Sequence, residues 1–111
     1  MGKIYAYHRF STDEQDAQSQ RNIIAKYAES KGLQIDEIIS DEGISGSVSY
    51  KKRNLSELLS KTNKGDTIIV SEVSRLTRGG IIELSDMIAE FFAPKGLRLI
   101  ISNVNLDIDC S

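Results

Sequence analysis

The sequence has few of the residues that build disulfide, zinc or membrane-spanning proteins. Cys110 is the lone cysteine and His8 the lone histidine, so an internal disulfide cannot form and a zinc cluster lacks ligands. A Cys-His catalytic pair is formally possible, but a thiol one residue from the end is poorly placed for it. No run approaches the ~20 apolar residues of a membrane span, and no secretory signal opens the chain. We expect a cytoplasmic protein with no metal and no membrane contact.

An excess of positive charge is also lacking. Fourteen basic and sixteen acidic residues give a net charge of −2, which argues against non-specific DNA binding by the domain as a whole. The 111 residues suffice for one domain with a single core. If the substrate is a nucleic acid, affinity must come from a local cluster or from another part of a longer protein.

Glycine-rich nucleotide motifs are missing too. The turn after the first predicted strand has no glycine, and no Gly-Lys-Ser/Thr sequence occurs. Nucleotide cofactors are therefore disfavoured.

Hydrophobic periodicity predicts alternating strands and helices. Gly32 is expected to end the first helix, and Pro94 with Gly96 the last. The order predicts an α/β, three-layer αβα fold with a mainly parallel sheet of four or five strands. The predicted strands are Lys3–His8, Gln34–Ile39, Thr67–Val70 and Leu97–Ile101, the predicted helices are Asp13–Ser30, Asn54–Thr62 and Ile81–Phe92, and Ser102–Ser111 is predicted to be a polar tail.

Arg9 and Ser11 fall at the carboxyl end of the first strand, where open α/β sheets bind ligands. Thr12 and Gln15 fit a capping box, which places Ser11 just outside a helix amino terminus that attracts phosphate oxygens. A serine beside a permanently charged guanidinium suggests a nucleophile aimed at a phosphodiester. The alternative is that this Ser-Thr pair only caps the helix.

Arg75 and Arg78 follow the third strand at the same sheet edge. Their spacing puts both guanidiniums on one face of a helix or turn, so three arginines and a serine would share one rim, as in a phosphate-handling site. Taken alone, the two arginines are better explained as a solvated surface pair. The segment Ser40–Lys52 is long for a strand-to-helix connection, and is either a functional loop or an ordinary flexible one.

These motifs together resemble the serine site-specific recombinases, the resolvase and DNA-invertase group. The resemblance covers nearly the whole chain in the right order. It rests on Tyr7-His8-Arg9-Phe10-Ser11-Thr12 with Gln15 and Gln20, on Ile44-Ser45-Gly46, on Gly65-Asp66-Thr67 and on Ser74-Arg75-Leu76-Thr77-Arg78.

The resemblance implies a role for each matching residue. Ser11 would attack a DNA phosphodiester and form a covalent 5′-phosphoserine link, leaving a free 3′-hydroxyl. No metal or nucleotide cofactor is needed, because the link conserves the bond energy for rejoining. The remaining candidates are Arg9, Arg75 and Arg78 as catalytic phosphate ligands, and Gln15, Gln20, Ser45 and Arg53 as substrate-binding residues.

Some of these assignments stay open. Gln15 can equally be only the capping-box partner. Ile44-Ser45-Gly46 resembles the signature of the family's mobile loop, which a further arginine normally follows. Counting back from Leu55 without a gap places that arginine at Lys52, whereas residue type favours Arg53.

The sequence departs from the family at several points, including Gly79-Gly80 in place of more ordinary helix-start residues, and two departures bear most on function. Ser74 stands where an aspartate usually precedes the arginine motif, and Glu72 or Asp41 is a candidate to replace that carboxylate. Family members also continue into a long dimerisation helix and a helix-turn-helix domain. Residues 1–111 are therefore expected to be the catalytic domain alone, with DNA binding and homodimer or tetramer assembly belonging to the full-length protein.

Two other functions are considered. A non-catalytic, DNA-associated interaction or regulatory module would keep the fold, but retention of Ser11 with Arg9, Arg75 and Arg78 speaks against it. A flavodoxin-like or receiver-like domain would need a glycine-rich phosphate loop or an acidic phosphoacceptor cluster after the first strand, and the sequence has neither.

Overall fold

A computed structural model describes residues 2–10, 14–42, 54–76 and 80–110. Besides the regular elements, the chain contains a π-helical turn, Ile88–Phe92, and a 3-10 turn, Ser102–Val104. The regular elements are β1 Ile4–Phe10, α1 Glu14–Lys31, β2 Glu37–Glu42, α2 Asn54–Lys61, β3 Thr67–Val70, α3 Val73–Leu76, α4 Gly80–Met87, α5 Ala93–Lys95, β4 Arg98–Ile101 and β5 Leu106–Asp109.

The five strands form one sheet in the order β2-β1-β3-β4-β5. The first four are parallel, and β5 runs antiparallel to β4. The chain leaves β1 toward β2 and then returns past β1 to β3 and β4. With right-handed crossovers, this reversal puts α1 on one face and the later helices on the other. The predicted α/β class and mainly parallel sheet are confirmed.

Each face of the sheet carries its own apolar core. On one face, α2 and α4 pack Leu58 and Met87 against Tyr7 and Ile68. On the other, α1 packs Ile24 over a smaller cluster: Ala6, Ile69 and Ile100. The strand residues are buried on both faces, which explains the near-continuous apolar runs of β1, β3 and β4.

The polar tail predicted for Ser102–Ser111 is wrong. Asn105 adopts a left-handed conformation with φ of 51°, and the turn it closes returns the chain along β4. Leu99 then pairs with Ile108 in register. The segment alternates polar and apolar residues because only one of its faces packs on the core, the pattern expected of a half-buried edge strand.

Pro94 does not end the last helix as predicted, whereas Gly96 does, with φ of 67°. The π-helical turn widens the spiral, and the N–H of Ala93 bonds to the carbonyl of Ile88. Pro94 then lies in the first turn of α5, where a missing N–H costs little. Within the described ranges, no helix combines the length and apolar character needed to cross a membrane.

Other boundaries differ by a few residues. The second strand starts at Glu37 and extends to Glu42, so the first residues of the predicted loop belong to the sheet. The rest of that loop, residues 43–52, lies outside the described residues. On α1, Ile23 is 36% exposed, while the neighbouring Ile24 is buried.

Candidate active site at the carboxyl ends of the strands

From β1 the chain connects to β2 on one side, whereas β3 and β4 lie on the other side of β1. The direction of connection therefore reverses between β1 and β3. In open α/β sheets, the crevice at such a reversal, beyond the carboxyl ends of the strands, is where ligands bind. Arg9 lies near the end of β1, and Arg75 lies in α3, a few residues after β3. The fold therefore brings together two arginines that are 66 residues apart in sequence.

The main-chain groups of Arg9 point toward β3 but lie beyond the paired part of that strand. The carbonyl of Lys3, six residues earlier, accepts a hydrogen bond from the N–H of Thr67 in β3. Main-chain groups point to the same side of a strand at every second residue, so those of Arg9 also point toward β3. The β1–β3 pairing ends at Ala6 and Ile69. Gln20 of α1 takes the place of a strand neighbour. Its Oε1 accepts from Arg9 N at 3.2 Å, and its Nε2 donates to Arg9 O at 2.9 Å.

Arg9 and Arg75 hold each other through main-chain carbonyls. Arg9 donates from Nε to the carbonyl of Arg75 at 3.3 Å and from Nη2 to the carbonyl of Ser74 at 2.6 Å. Arg75 donates from Nη1 to the carbonyl of Arg9 at 3.3 Å. Two like charges are thus kept side by side by neutral acceptors, and the ends of β1 and β3 are tied together.

Two acidic residues lie near the arginines, Glu72 in contact with Arg75 and Asp41 beside Arg9 in the sheet. Glu72 Oε1 lies 2.7 Å from Arg75 Nη2. Asp41 is the register partner of Arg9 in β2, is buried, and accepts from the hydroxyl of Tyr7 at 2.7 Å. Glu72 and Asp41 are the two acids that sequence reasoning considered as replacements for an aspartate at Ser74. Ser74 itself is exposed.

His8 lies beside this site but on the opposite face of β1, the face that α1 covers. Its side chain is 2% exposed, and burial, helped by the charge of Arg21, lowers the pKa of His8 to about 4. The imidazole is therefore neutral at pH 7. It adds no positive charge for binding phosphate.

The predicted site residues divide into three groups. Arg9, Arg75 and Gln20 come together as described above. Gln15 is exposed near the start of α1. The others, Ser11, Ser45, Arg53 and Arg78, lie outside the described residues, as do Thr12 and Lys52.

Sequence reasoning missed the hydrogen bond between Tyr7 and Asp41. Tyr7 lies in the middle of β1 and Asp41 near the end of β2, and pairing them requires the β1–β2 register, which no local pattern gives. Among the described residues, no group of three or more His, Cys, Asp or Glu side chains is arranged to hold a metal ion.

The chain is similar to known recombination proteins in sequence. The family model "Resolvase, N terminal domain" matches residues 4–111. Transposon Tn2501 resolvase of Escherichia coli is 36% identical over 83 residues, which cover 73% of this chain and 41% of that protein. Serine recombinase PinR of Escherichia coli strain K12 is 38% identical over 78 residues, covering 68% of this chain and 38% of that protein. The matched part thus spans about two fifths of each relative.

Solved structures share the fold. The N-terminal catalytic domain of TP901-1 integrase matches with a TM-score of 0.75 and 25% identity, covering 95% of this chain and 80% of that one. The C-terminal catalytic domain of ISC1926 TnpA, an IS607-like serine recombinase, matches with a TM-score of 0.64 and 22% identity, covering 89% and 68%. With a family match over almost the whole chain and strand-end arginines where the motifs predicted them, this chain belongs to the resolvase N-terminal domain family of serine recombinases.

Proposed function

We propose that this chain is the catalytic domain of a serine recombinase that cuts and rejoins DNA during site-specific inversion or resolution. The observation that carries the proposal is the contact between Arg9 and Arg75 at the carboxyl ends of β1 and β3. Ser11 follows Arg9 by two residues, and Arg78 follows Arg75 by three. In this proposal Ser11 is the nucleophile, and Arg9, Arg75 and Arg78 are cationic ligands for the phosphate.

In the proposed reaction, the hydroxyl oxygen of Ser11 attacks a DNA phosphorus. The bond from phosphorus to the 3′-oxygen breaks, the serine proton leaves, and the 3′-oxygen gains a proton. The product is a 5′-phosphoserine link and a free 3′-hydroxyl. Rejoining runs the same exchange backwards with a new 3′-hydroxyl. One phosphodiester replaces another at each step, so no nucleotide is consumed.

The arginines would stabilise negative charge as it spreads over the phosphate oxygens. A guanidinium stays protonated and can bind two oxygens at once. Positively charged donors placed beforehand around a reacting phosphate lower the barrier, because little reorganisation is needed during the step. Arg9, Arg75 and Arg78 are assigned this role, and Gln15, Ser45 and Arg53 are assigned to substrate binding. Gln20, the other predicted substrate-binding residue, is buried and bonds the main chain of Arg9, so we assign it to holding Arg9 in place.

We assign DNA-site recognition and assembly into a dimer or tetramer to a longer parent protein, and we place the reaction in the cytoplasm. The net charge of −2 supports this division, because tight DNA binding needs clustered positive charge. A gel-shift measurement with residues 1–111 is expected to show weak binding. A tight, sequence-specific complex formed by these residues would contradict the division.

The decisive experiment is covalent trapping with the parent protein in its host. DNA-linked protein is recovered after denaturation, digested with nuclease and searched by mass spectrometry for a nucleotide remnant on Ser11, with Ser11→Ala as control. An adduct that disappears in the control is the expected result. If the protein occupies DNA but yields no adduct, the domain is instead a non-catalytic, DNA-associated module.

A further inference from the structure

Glu72 contacts Arg75 twice, once through its main chain and once through its side chain. Its carbonyl accepts from the N–H of Arg75 at 3.1 Å. Its carboxylate lies 2.7 Å from Arg75 Nη2. Glu72 lies directly before α3. The residue at the entrance of this short helix therefore contacts both the backbone and the guanidinium of Arg75.

These contacts anchor both terminal nitrogens of the Arg75 guanidinium. Nη1 donates to the carbonyl of Arg9 at 3.3 Å, and Nη2 is paired with Glu72. A guanidinium is a rigid planar fork, so two anchors on different nitrogens set the direction of its plane. The Arg75 side chain is 18% exposed and that of Glu72 is 39% exposed. The pair is therefore partly accessible to solvent, as a group that meets an incoming phosphate has to be.

The other nearby acid is placed differently. Asp41 is the register partner of Arg9 and accepts from Tyr7, whereas Glu72 follows β3 and pairs with Arg75. Asp41 thus lies beside the end of β1, and Glu72 lies after the end of β3. A partly exposed ion pair three residues apart adds little to folding stability, so orientation of Arg75 is the larger effect that Glu72 can have.

We propose that Glu72 is a positioning residue that holds the Arg75 guanidinium in the orientation needed to bind the scissile phosphate. The proposal rests on the proposed recombinase function. It concerns a residue outside the arginines and serine assigned above. Glu72 acts through Arg75 and contributes a fixed direction to that cation.

The first test measures the guanidinium itself in the 111-residue chain. Arginine-labelled protein is studied by NMR, and rotation about the Cζ–Nη bonds of Arg75 is compared between wild type and Glu72→Gln. Loss of the ion pair is expected to speed this rotation about two- to fivefold, the factor that a partly exposed ion pair is worth. Glu29→Gln removes the same charge from an exposed position of α1 and is expected to leave the rotation unchanged. Equal rotation rates in wild type and Glu72→Gln would overturn the proposal.

The second test measures adduct formation at Ser11 in the parent protein. Glu72→Gln is expected to lower the adduct yield about tenfold, because small misplacement of a catalytic group is costly. Glu29→Gln should match wild type. Adding Ser74→Asp to Glu72→Gln is expected to restore most of the yield. Ser74 is exposed, its carbonyl accepts from Arg9 Nη2 at 2.6 Å, and aspartate is the residue that the family usually has at this position.

The outcomes separate the two proposals. Wild-type adducts that persist in Glu72→Gln overturn the role of Glu72 and leave the recombinase function intact. Absence of adducts in wild type overturns the recombinase function, and the role of Glu72 falls with it. A drop in yield without a change in Arg75 rotation would show that Glu72 acts by another route, which also contradicts positioning.

Discussion

The side-chain amide of Gln20 bonds to both main-chain polar groups of Arg9, accepting from N at 3.2 Å and donating to O at 2.9 Å. Gln20 is 1% exposed, so water cannot easily replace it. The amide fills the place that β3 would occupy had its pairing with β1 continued. Helix α1 is thereby fixed to the strand end that carries the first arginine of the site.

Replacing Gln20 by leucine is expected to destabilise the fold. The change leaves the N–H of Arg9 without its acceptor in a partly buried place, and such a loss costs about 1–3 kcal/mol, with the lower end expected here. Urea unfolding at pH 7 measures it. Gln18→Leu is the matched control, because Gln18 is exposed on the same helix and pairs only locally with Asn22; it should change stability by less than about 0.5 kcal/mol. Equal effects of the two variants would contradict the bridging role.

Stability is expected to fall as the pH drops from 6.5 toward 4, because His8 is buried and neutral. Its pKa is lowered from 6.5 to about 4, so the unfolded chain binds the proton first in this window. The stability gained by burying neutral His8 is fully present above pH 6.5, and up to roughly 3 kcal/mol of the unfolding free energy is lost by pH 4.

The pH effect can be assigned to His8 by comparing slopes. Urea unfolding free energies are measured at intervals between pH 4 and 7 for wild type and for His8→Gln. Carboxylates titrate in both proteins, so their share cancels in the difference. The variant is expected to show the shallower dependence. Parallel curves would mean that protonation of His8 does not cause the loss of stability between pH 6.5 and 4.

The ion pair between Arg98 and Asp107 is expected to give a small, pH-dependent stabilisation of the last two strands. Arg98 Nε donates to Asp107 Oδ1 at 2.8 Å, and this hydrogen bond holds the pKa of Asp107 below its usual value. The stability it provides is therefore present above the ordinary aspartate pKa and is lost as pH falls through the lowered one. Since both side chains are 34% exposed, we expect about 0.5 kcal/mol at pH 7.

A double-mutant cycle measures this pair directly. Asp107→Asn, Arg98→Gln and the double variant are unfolded with urea at pH 7 and at pH 3. A coupling energy at pH 7 that shrinks at pH 3 is expected. A coupling that is the same at both pH values would show that the carboxylate charge is not involved.

The sequence predicted the sheet well where strands are buried on both faces. Thr67–Val70 was predicted with the bounds that the structure has, because four consecutive β-branched residues between a turn and a polar segment leave little choice. The fifth strand was missed. Leu106 and Ile108 alternate with aspartates, and so short a pattern looks like a tail until β4 is there to pair with it.

The sequence by itself determined the order of the first four strands and of the longer helices between them, and it put Arg9 and Arg75 near the carboxyl ends of strands, because burial periodicity and turn residues are local properties. Tertiary structure alone decided which side chains meet there. The bonds of Gln20 to Arg9, of Tyr7 to Asp41 and of the two arginines to each other depend on strand order, register and the point where β3 leaves β1. Those quantities come from packing whole elements against a shared core, and no short window of sequence contains them.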